Sequence, residues 1–524
     1  VADNTYPSGI YWGQEPLDPT TDVNPGNDPS WVSGPVLTMS EQWLPIDVCL
    51  GGTQAFRENA KIFLPQEPEE DEASWRRRIY HATFAPYTVR IAEQAAGLIL
   101  RKPIQLVSKE EGGEVDPYWE ELIKNVDGYG TTLDDFARRL AISSILYGHA
   151  AVLVDYPSTE PAPNLAVERL MGLRPYLIMV DAKQIIGWRK SPEASPISPI
   201  NQIRLNEYVS EPMGEFGDEV VRQIRVLEPG RWRVYRRGSE DEGWIVYQEG
   251  TTSLPVIPLA VTYSGKMAEL MSRPPLLPIA DLNISHAQRT ADLHHSLHVA
   301  ALPILTLKGF DEAGQIGLSA NSIILLPPEG DGKYVEPASS AFDAQQSFIT
   351  ELENQMSSLG ISTLFSQKMG AETAESKRLS RTDSDSLLSI VSKDLQNALQ
   401  RVMDMAAAYV GMEAPEVMLD RDFDLQVLEA AQVTQYMQLW TNGAITHETL
   451  LEMLRQGEVL PNIDIEREVE LTQQEKAGNM MLLPEAMRGD VQVADEQEGQ
   501  DEEETEADDE QMAALDEMEE QDDA

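Results

Sequence analysis

The most regular alternation of apolar and polar positions runs from Thr373 to Val410. Leu388, Val391, Leu395, Leu399, Val402 and Ala406 recur there at the i, i+3, i+4, i+7 spacing of a single buried stripe, which predicts one very long helix. Leu276 to Ala300, which lacks glycine, and Phe342 to Leu359, within the proline-free run from Pro337 to Pro415, are also expected to be helices, with "GISTLFSQKMGAE", Gly360 to Glu372, as the loop that follows. Between the two lies a Gly- and Pro-bearing segment, Pro303 to Pro337, with strands expected at "PILTLKG" and "SIILLPP".

Earlier in the chain, "SWRRRIYHATFAPYTVRIAEQAAGLILRKPI" places Ile79, Tyr87, Ile91, Ala95 and Leu98 at roughly helical spacing. Pro86 is an internal break and Pro103 a stop. In "TTLDDFARRLAISSILYGHAAVLVDYP", Thr132 is placed to cap a helix whose buried stripe is Phe136, Leu140, Ile142 and Ile145. Gly148 suits the left-handed C-terminal position, and "AAVLVDY" reads as a short buried strand. Further strands are expected at "RPYLIMV", "VVRQIRVLE", "RWRVYRR" and "WIVYQEG", the last two joined as a hairpin by "GSEDEG". Tyr6 to about Gly52 shows no sustained period and reads as an arm lying across other structure. Near the C-terminal end, "TNGAIT" predicts a turn between two helices, with Thr446 capping the second.

Composition adds size and charge to this picture. At 524 residues the chain exceeds what one core organises, so more than one packing unit is expected. The formal charge is −48, and the 18 acids from Asp490 onward, unaccompanied by Lys or Arg, account for only part of it. That last segment is expected to be disordered, because its few apolar residues bury too little surface to offset ordering. The rest of the chain is itself strongly acidic, which disfavours tight, non-specific gripping of nucleic acid. Cys49, the only cysteine, has no intrachain disulfide partner, and no stretch of about 18 apolar residues predicts a membrane span. "VADNTYPSGIYWGQEP" has neither the basic nor the apolar region of a signal peptide.

Candidate chemistry centres on "SHAQRTADLHHSLHVA", Ser285 to Ala300, which holds His286, His294, His295 and His298. His294 and His298 have the His-x-x-x-His spacing that chelates zinc, so a metal-dependent hydrolase is one reading. Against it, His295 and Asp292 point to other sides of the helix, and no Glu follows His294 as the general base of a zinc protease. An ordinary helix face is the expectation. "EGDGKY", Glu329 to Tyr334, imitates the end of a phosphate loop but has Pro327 and Tyr334 where glycine and a magnesium-holding hydroxyl belong, so a turn is expected. "RWRVYRR" could stack on a nucleic acid strand, and in so acidic a chain its arginines are expected to pair with carboxylates of a neighbouring subunit. No nucleophile elbow or dinucleotide fingerprint occurs, and no enzyme activity or cofactor is expected.

In order and spacing, "DDFARRLAISSILYGHAAVLVDY", "LPVIPLAVTYSG", "PPLLPIADLNISHAQRTADLHHSLH" and "GAETAESKRLSRTDSDSLLSIVSKDLQNALQRVMDMA" resemble the portal proteins of tailed bacteriophages. The resemblance covers roughly Trp75 to Glu475 and implies an α+β, portal-like fold. Its expected parts are an N-terminal arm (1–74), a mixed wing (75–275), a stem helix (276–300), a small α/β clip (301–341), a second stem helix (342–359), a tunnel loop (360–372), a long wing helix (373–423), a helical crown (424–489) and the acidic tail (490–524).

The resemblance also implies a ring, usually of twelve copies, at one capsid vertex of the virion, assembled in the host cytoplasm. Its partners would be the major capsid protein, terminase, a head-tail adaptor and duplex DNA passing non-specifically, with no membrane involved. Ser366, Gln367, Lys368 and Gly370 would line the DNA channel, with Lys368 touching phosphate, while His286, His294, His295 and His298 would sit at the stem interface. A head-completion adaptor or a scaffold is the alternative among virion proteins. The length opposes the first and the strand-rich wing the second.

Overall fold

The computed structural model describes residues 26–110, 113–157, 173–190, 199–238, 243–300, 304–308, 331–335, 339–365, 387–420, 430–456, 467–468 and 471–472. It separates into two compact units, residues 1–423 and 424–524.

The first unit opens with α1 (Gly34–Glu58). This corrects the expectation of an arm without sustained periodicity up to about Gly52. Val36, Met39, Trp43 and Ile46 form a fully buried helical stripe, disguised in the sequence by Pro35 in the first turn, Pro45 inside, and a kink at Gly52 (φ 60°, ψ −140°). After the single turn α2 (Ala60–Phe63), α3 (Glu72–His81) begins where the Asp71 carboxylate accepts from the Ser74 amide at 2.7 Å. Pro86 separates it from α4 (Tyr87–Ile99), as the sequence predicts. Strand β1 (Gln105–Val107) and α5 (Pro117–Lys124) lead to α6 (Leu133–Tyr147). Thr132 caps α6 by accepting from the Asp135 amide, and Gly148 ends it at φ 90°. Phe136, Leu140 and Ile145 are buried as expected.

Strand β2 (His149–Asp155) is the middle of a three-stranded antiparallel sheet, between β3 (Tyr176–Asp181) and a later strand at Leu259–Tyr263. Its uninterrupted apolar run has a simple cause. Ala150, Val152 and Val154 enter the main core, while Ala151 and Leu153 face a second core with Ile203, Leu205 and Leu227, so both faces of the strand are dry. The second core is closed by a five-stranded antiparallel meander: β4 (Ile185–Lys190), β5 (Ile200–Met213), β6 (Gly217–Glu228), β7 (Arg231–Arg237) and β8 (Trp244–Thr251). The expected pairing of the last two strands is present. Strand β9 (Leu259–Tyr263) returns to β2, and β10 (Lys266–Ala268) pairs with β11 (Met271–Ser272).

Helix α7 (Leu277–Ala300) matches the helix expected from Leu276 to Ala300, with Pro278 in the first turn, where its missing N–H costs nothing. Strand β12 (Ile304–Lys308) pairs antiparallel with β13 (Asp331–Val335). "EGDGKY" is therefore not a turn throughout, since Asp331 to Tyr334 lie in a strand; "SIILLPP" lies outside the described residues.

Helix α8 (Ser339–Phe365) runs past the expected end at Leu359, so the stretch from Gly360 to Phe365 is helical rather than the start of a loop. Helix α9 (Leu387–Val410) buries all six predicted stripe residues, each worth roughly 1.5–3 kcal/mol for the larger side chains. The expected beginning of that helix, residues 373–386, lies outside the described residues, as does the acidic tail. Strand β14 (Glu416–Met418) closes the unit by pairing with β1. The fold is mixed α+β, with α1, α4, α6, α7 and α9 around one core.

In the second unit, α10 (Ala430–Thr441) and α11 (His447–Gln456) flank a turn with Gly443 at φ 72°. Thr446 accepts from the Thr449 amide at 3.2 Å, the predicted cap.

Candidate functional site

Helix α7 carries the histidines and lies against α1, α3, α4 and α8. Its buried face is lined with Ala280, Ala287 and Ala291, whose small side chains let neighbouring helices approach. Polar hooks set its position. The buried Asn283 amide accepts from the amide and hydroxyl of Thr88, both at 3.2 Å, and donates to the Ala85 carbonyl at 2.8 Å, satisfying the backbone freed where Pro86 breaks the chain. Gln288 donates to the Phe63 carbonyl at 2.6 Å. Arg78 of α3, almost fully buried, donates to both oxygens of Glu70 (2.7 and 3.1 Å), to Asp292 of α7 at 3.0 Å and to the Pro65 carbonyl at 2.7 Å. Burial alone would raise the Glu70 pKa, but the hydrogen bonds and charge of Arg78 outweigh it and hold the carboxyl below its ordinary value.

Each histidine finds its neighbours within the chain. His286 Nε2 lies 3.2 Å from Glu353 Oε1 on α8, and the ring meets Tyr87 edge-on. His295 Nε2 lies 3.3 Å from the Ser74 hydroxyl; burial, with Arg78, Arg77 and His81 nearby, keeps its pKa low against the pull of Glu70. His294 Nδ1 approaches the His81 carbonyl at 3.4 Å, and the His298 ring lies 5.0 Å from that of His81. The i, i+4 pair thus rests on α3. Among the described residues, no three His, Cys, Asp or Glu side chains are grouped to hold a metal ion.

Helices α7 and α8 are antiparallel neighbours: His286 faces Glu353, while Arg289 and Asp292, further along α7, share a cleft with Ala344, Gln345 and Phe348, earlier on α8. Where α8 crosses α4, Gly360 is buried against Ile91, and a Cβ there would sit 2.8 Å from Ile91 Cδ1. Gly360 serves close packing within the helix and does not open the expected loop. Ser366, Gln367, Lys368 and Gly370 lie outside the described residues.

The arginines of "RWRVYRR" largely find carboxylates within their own sheet, in place of the intersubunit pairing expected. Arg231 bonds Glu249 at 2.5 Å, Arg233 bonds Glu228 at 2.9 Å, and Arg236 bonds Glu211 at 2.6 Å while lying over the Tyr247 ring. Arg237 is the exception, stacked on Trp244 without a carboxylate among the described residues. Strand alternation could have suggested these pairs only if register were known. Arg78, Asn283 and Glu353 carried no signal in the sequence, because each depends on a partner 60 residues or more away or on a buried backbone break.

A family model described as a domain of unknown function, DUF4055, matches residues 275–410, the span from α7 through α9. Among curated proteins, none matches the chain. Solved structures similar to it include a chain from the virion of a native gene transfer agent particle, at 13% identity and a TM-score of 0.36, covering 73% of this chain and 93% of that one. A chain from the neck of the native particle, computed with C12 symmetry, is similar at 13% identity and a TM-score of 0.37, covering 74% and 94%.

Proposed function

We propose that this chain is the subunit of a portal ring, the structural, non-enzymatic protein at one vertex of a phage-like capsid through which duplex DNA enters and leaves. The observation that carries the reading is the antiparallel pair α7 and α8, interrupted by the β12–β13 pair and followed by α9 in the core of the same unit. At 24 and 27 residues the two helices span about 36 and 40 Å. A single stripe of α8, with Ile349, Leu352 and Met356, is buried, while most of its remaining described positions are exposed and polar, as suits a helix that meets water or a passing polyanion. The charge of −48 serves transport: a wall that repels phosphate offers no deep well in which a stiff duplex stops.

In this role the ring, of twelve copies in the portal family, sits in the virion and contacts the major capsid protein, terminase and a head-tail adaptor. Lys368 and its neighbours Ser366, Gln367 and Gly370 would meet the DNA. Class-averaged electron micrographs of the purified chain test the reading: rings with a central opening are expected. A 58 kDa species alone, at micromolar protein over a range of salt, overturns it.

A further inference from the structure

The long hairpin β5–β6 does not end with its sheet. Strand β7 pairs with β6 from Glu228 only as far as Gln223, whereas β5 and β6 remain paired to Met213 and Gly217. The hairpin therefore extends about 20 Å past the last paired residue of β7. Its turn, with Gly214 at φ 73°, exposes Phe216 (92%) and Met213 (60%), with Glu215, Asp218 and Glu219 around them. Among the described residues none of these three carboxylates is ion-paired. An aromatic ring so exposed on a paired, acid-rimmed tip is an apolar surface without a partner in its own chain.

The same sheet carries the complement. Strand β8 is an edge strand, and Ile245, Val246 and Tyr247 on it are 44–49% exposed. No charge interrupts Trp244 to Gln248, so the usual protection of an edge is missing. The opposite edge, β4, is covered: the Ser33 amide donates to the Ile186 carbonyl at 2.9 Å. At the start of β8, the Trp244 ring centroid lies 5.9 Å from the Arg222 guanidinium and 5.8 Å from that of Arg237. Arg231, Arg233 and Arg236 are neutralised by carboxylates of the sheet, but among the described residues Arg222 and Arg237 have none; Arg222 donates only to the Asn206 amide oxygen. Among the described residues these two guanidiniums meet no acid, in a chain of charge −48, which suits them to acids presented by another copy.

We infer that the β5–β6 tip of one copy docks on the β8 edge of the next, with Phe216 and Met213 against Ile245, Val246 and Tyr247, and with Asp218 and Glu219 meeting Arg222 and Arg237. The chain's own tip does not reach its own β8, because the paired ladder holds it extended away from the end of β7. A contact joining two different surfaces of identical subunits is head-to-tail, the kind that closes into a ring. The inference rests on the ring reading above and names the contact that builds it.

Two variants of the full chain test it by charge exchange. Asp218→Lys with Glu219→Lys spoils the tip, and Arg222→Glu with Arg237→Glu spoils the receiving edge. Followed by sedimentation or native mass spectrometry, each alone should need at least tenfold more protein than wild type to assemble. An equimolar mixture should assemble again, because lysine tips then meet glutamate edges and acidic tips meet arginine edges. Either variant assembling like wild type, or a mixture that stays dissociated, overturns the contact. Variants that assemble normally but lose a single-stranded oligonucleotide held by wild type would also overturn it, assigning the arginines to nucleic acid.

A substitution pair at exposed positions guards against misfolding. In Phe216→Cys with Tyr247→Cys, oxidation should give a ladder of covalent multimers, and an intrachain product or none overturns the contact. Cys49 does not compete, since it is buried and burial pushes its thiol up to about 12. A wild-type chain that stays monomeric removes the ring and this contact together, whereas wild-type rings with indifferent variants remove the contact alone.

Discussion

Burial strips the His149 ring of solvent, leaving one hydrogen-bonding neighbour, the Ser272 hydroxyl at 2.6 Å from Nδ1, and pulls its pKa down to about 4. The neutral ring is the form that folds. An unfolded chain with the ordinary value near 6.5 binds a proton more readily, so this stabilisation is full above about pH 6.5 and is lost as the pH falls toward 4. Between pH 7 and 4.5 the wild type should lose about 2–3 kcal/mol more than His149→Gln in urea unfolding, and equal losses would show that the ring is solvated. Asn283 makes a sharper demand. Asn283→Ala strands the Thr88 amide and leaves the Ala85 carbonyl to the Tyr87 amide, and an equilibrium denaturation curve should show a loss of about 1–3 kcal/mol.

At the scale of elements, the junction of α4 with α8 turns on one missing side chain. A Cβ at Gly360 meets Ile91, so Gly360→Leu should cost about 1–3 kcal/mol. Ile91→Ala opens the space, and the double variant should be less destabilised than the sum of the two singles. A Gly360→Leu change without effect would fit a solvent-exposed loop and contradict the helix to Phe365. The clamp of Arg78 works over a longer span, holding Glu70 ahead of α3 and Asp292 in α7 with one guanidinium.

Two expectations belong to the whole molecule and to its proposed ring. Deleting the residues after Asp490 should leave assembly intact, because a segment so acidic and so poor in apolar residues contributes little buried surface. Size measurements on the truncated chain check this, and a truncated chain that no longer assembles would make the tail structural. Lys368→Glu should leave the ring in place but change DNA packaging or retention, since a single cation among many acids offers phosphate a weak, sequence-independent touch point. Particles that fill and hold DNA normally with this reversal would remove Lys368 from the channel.

The sequence by itself determined what depends on near neighbours. The α9 stripe, the Thr132 cap, Gly148 at the end of α6, the break at Pro86 and the dry run of β2 are all written within a few residues of where they act. Helix α1 was written there too, as Val36, Met39, Trp43 and Ile46, but Pro35, Pro45 and Gly52 obscured its period. Of the candidate site, the helix bearing the four histidines was legible and the companions of its side chains were not. Tertiary structure alone decided that His294 and His298 rest on α3, that Asn283 closes the gap at Pro86, that three arginines of β7 are neutralised at home, and that Arg222 and Arg237 meet no acid among the described residues. The reason is physical: periodicity is set by the few residues of one helical turn or one strand pleat, whereas a side chain's partner depends on where a core brings distant segments together.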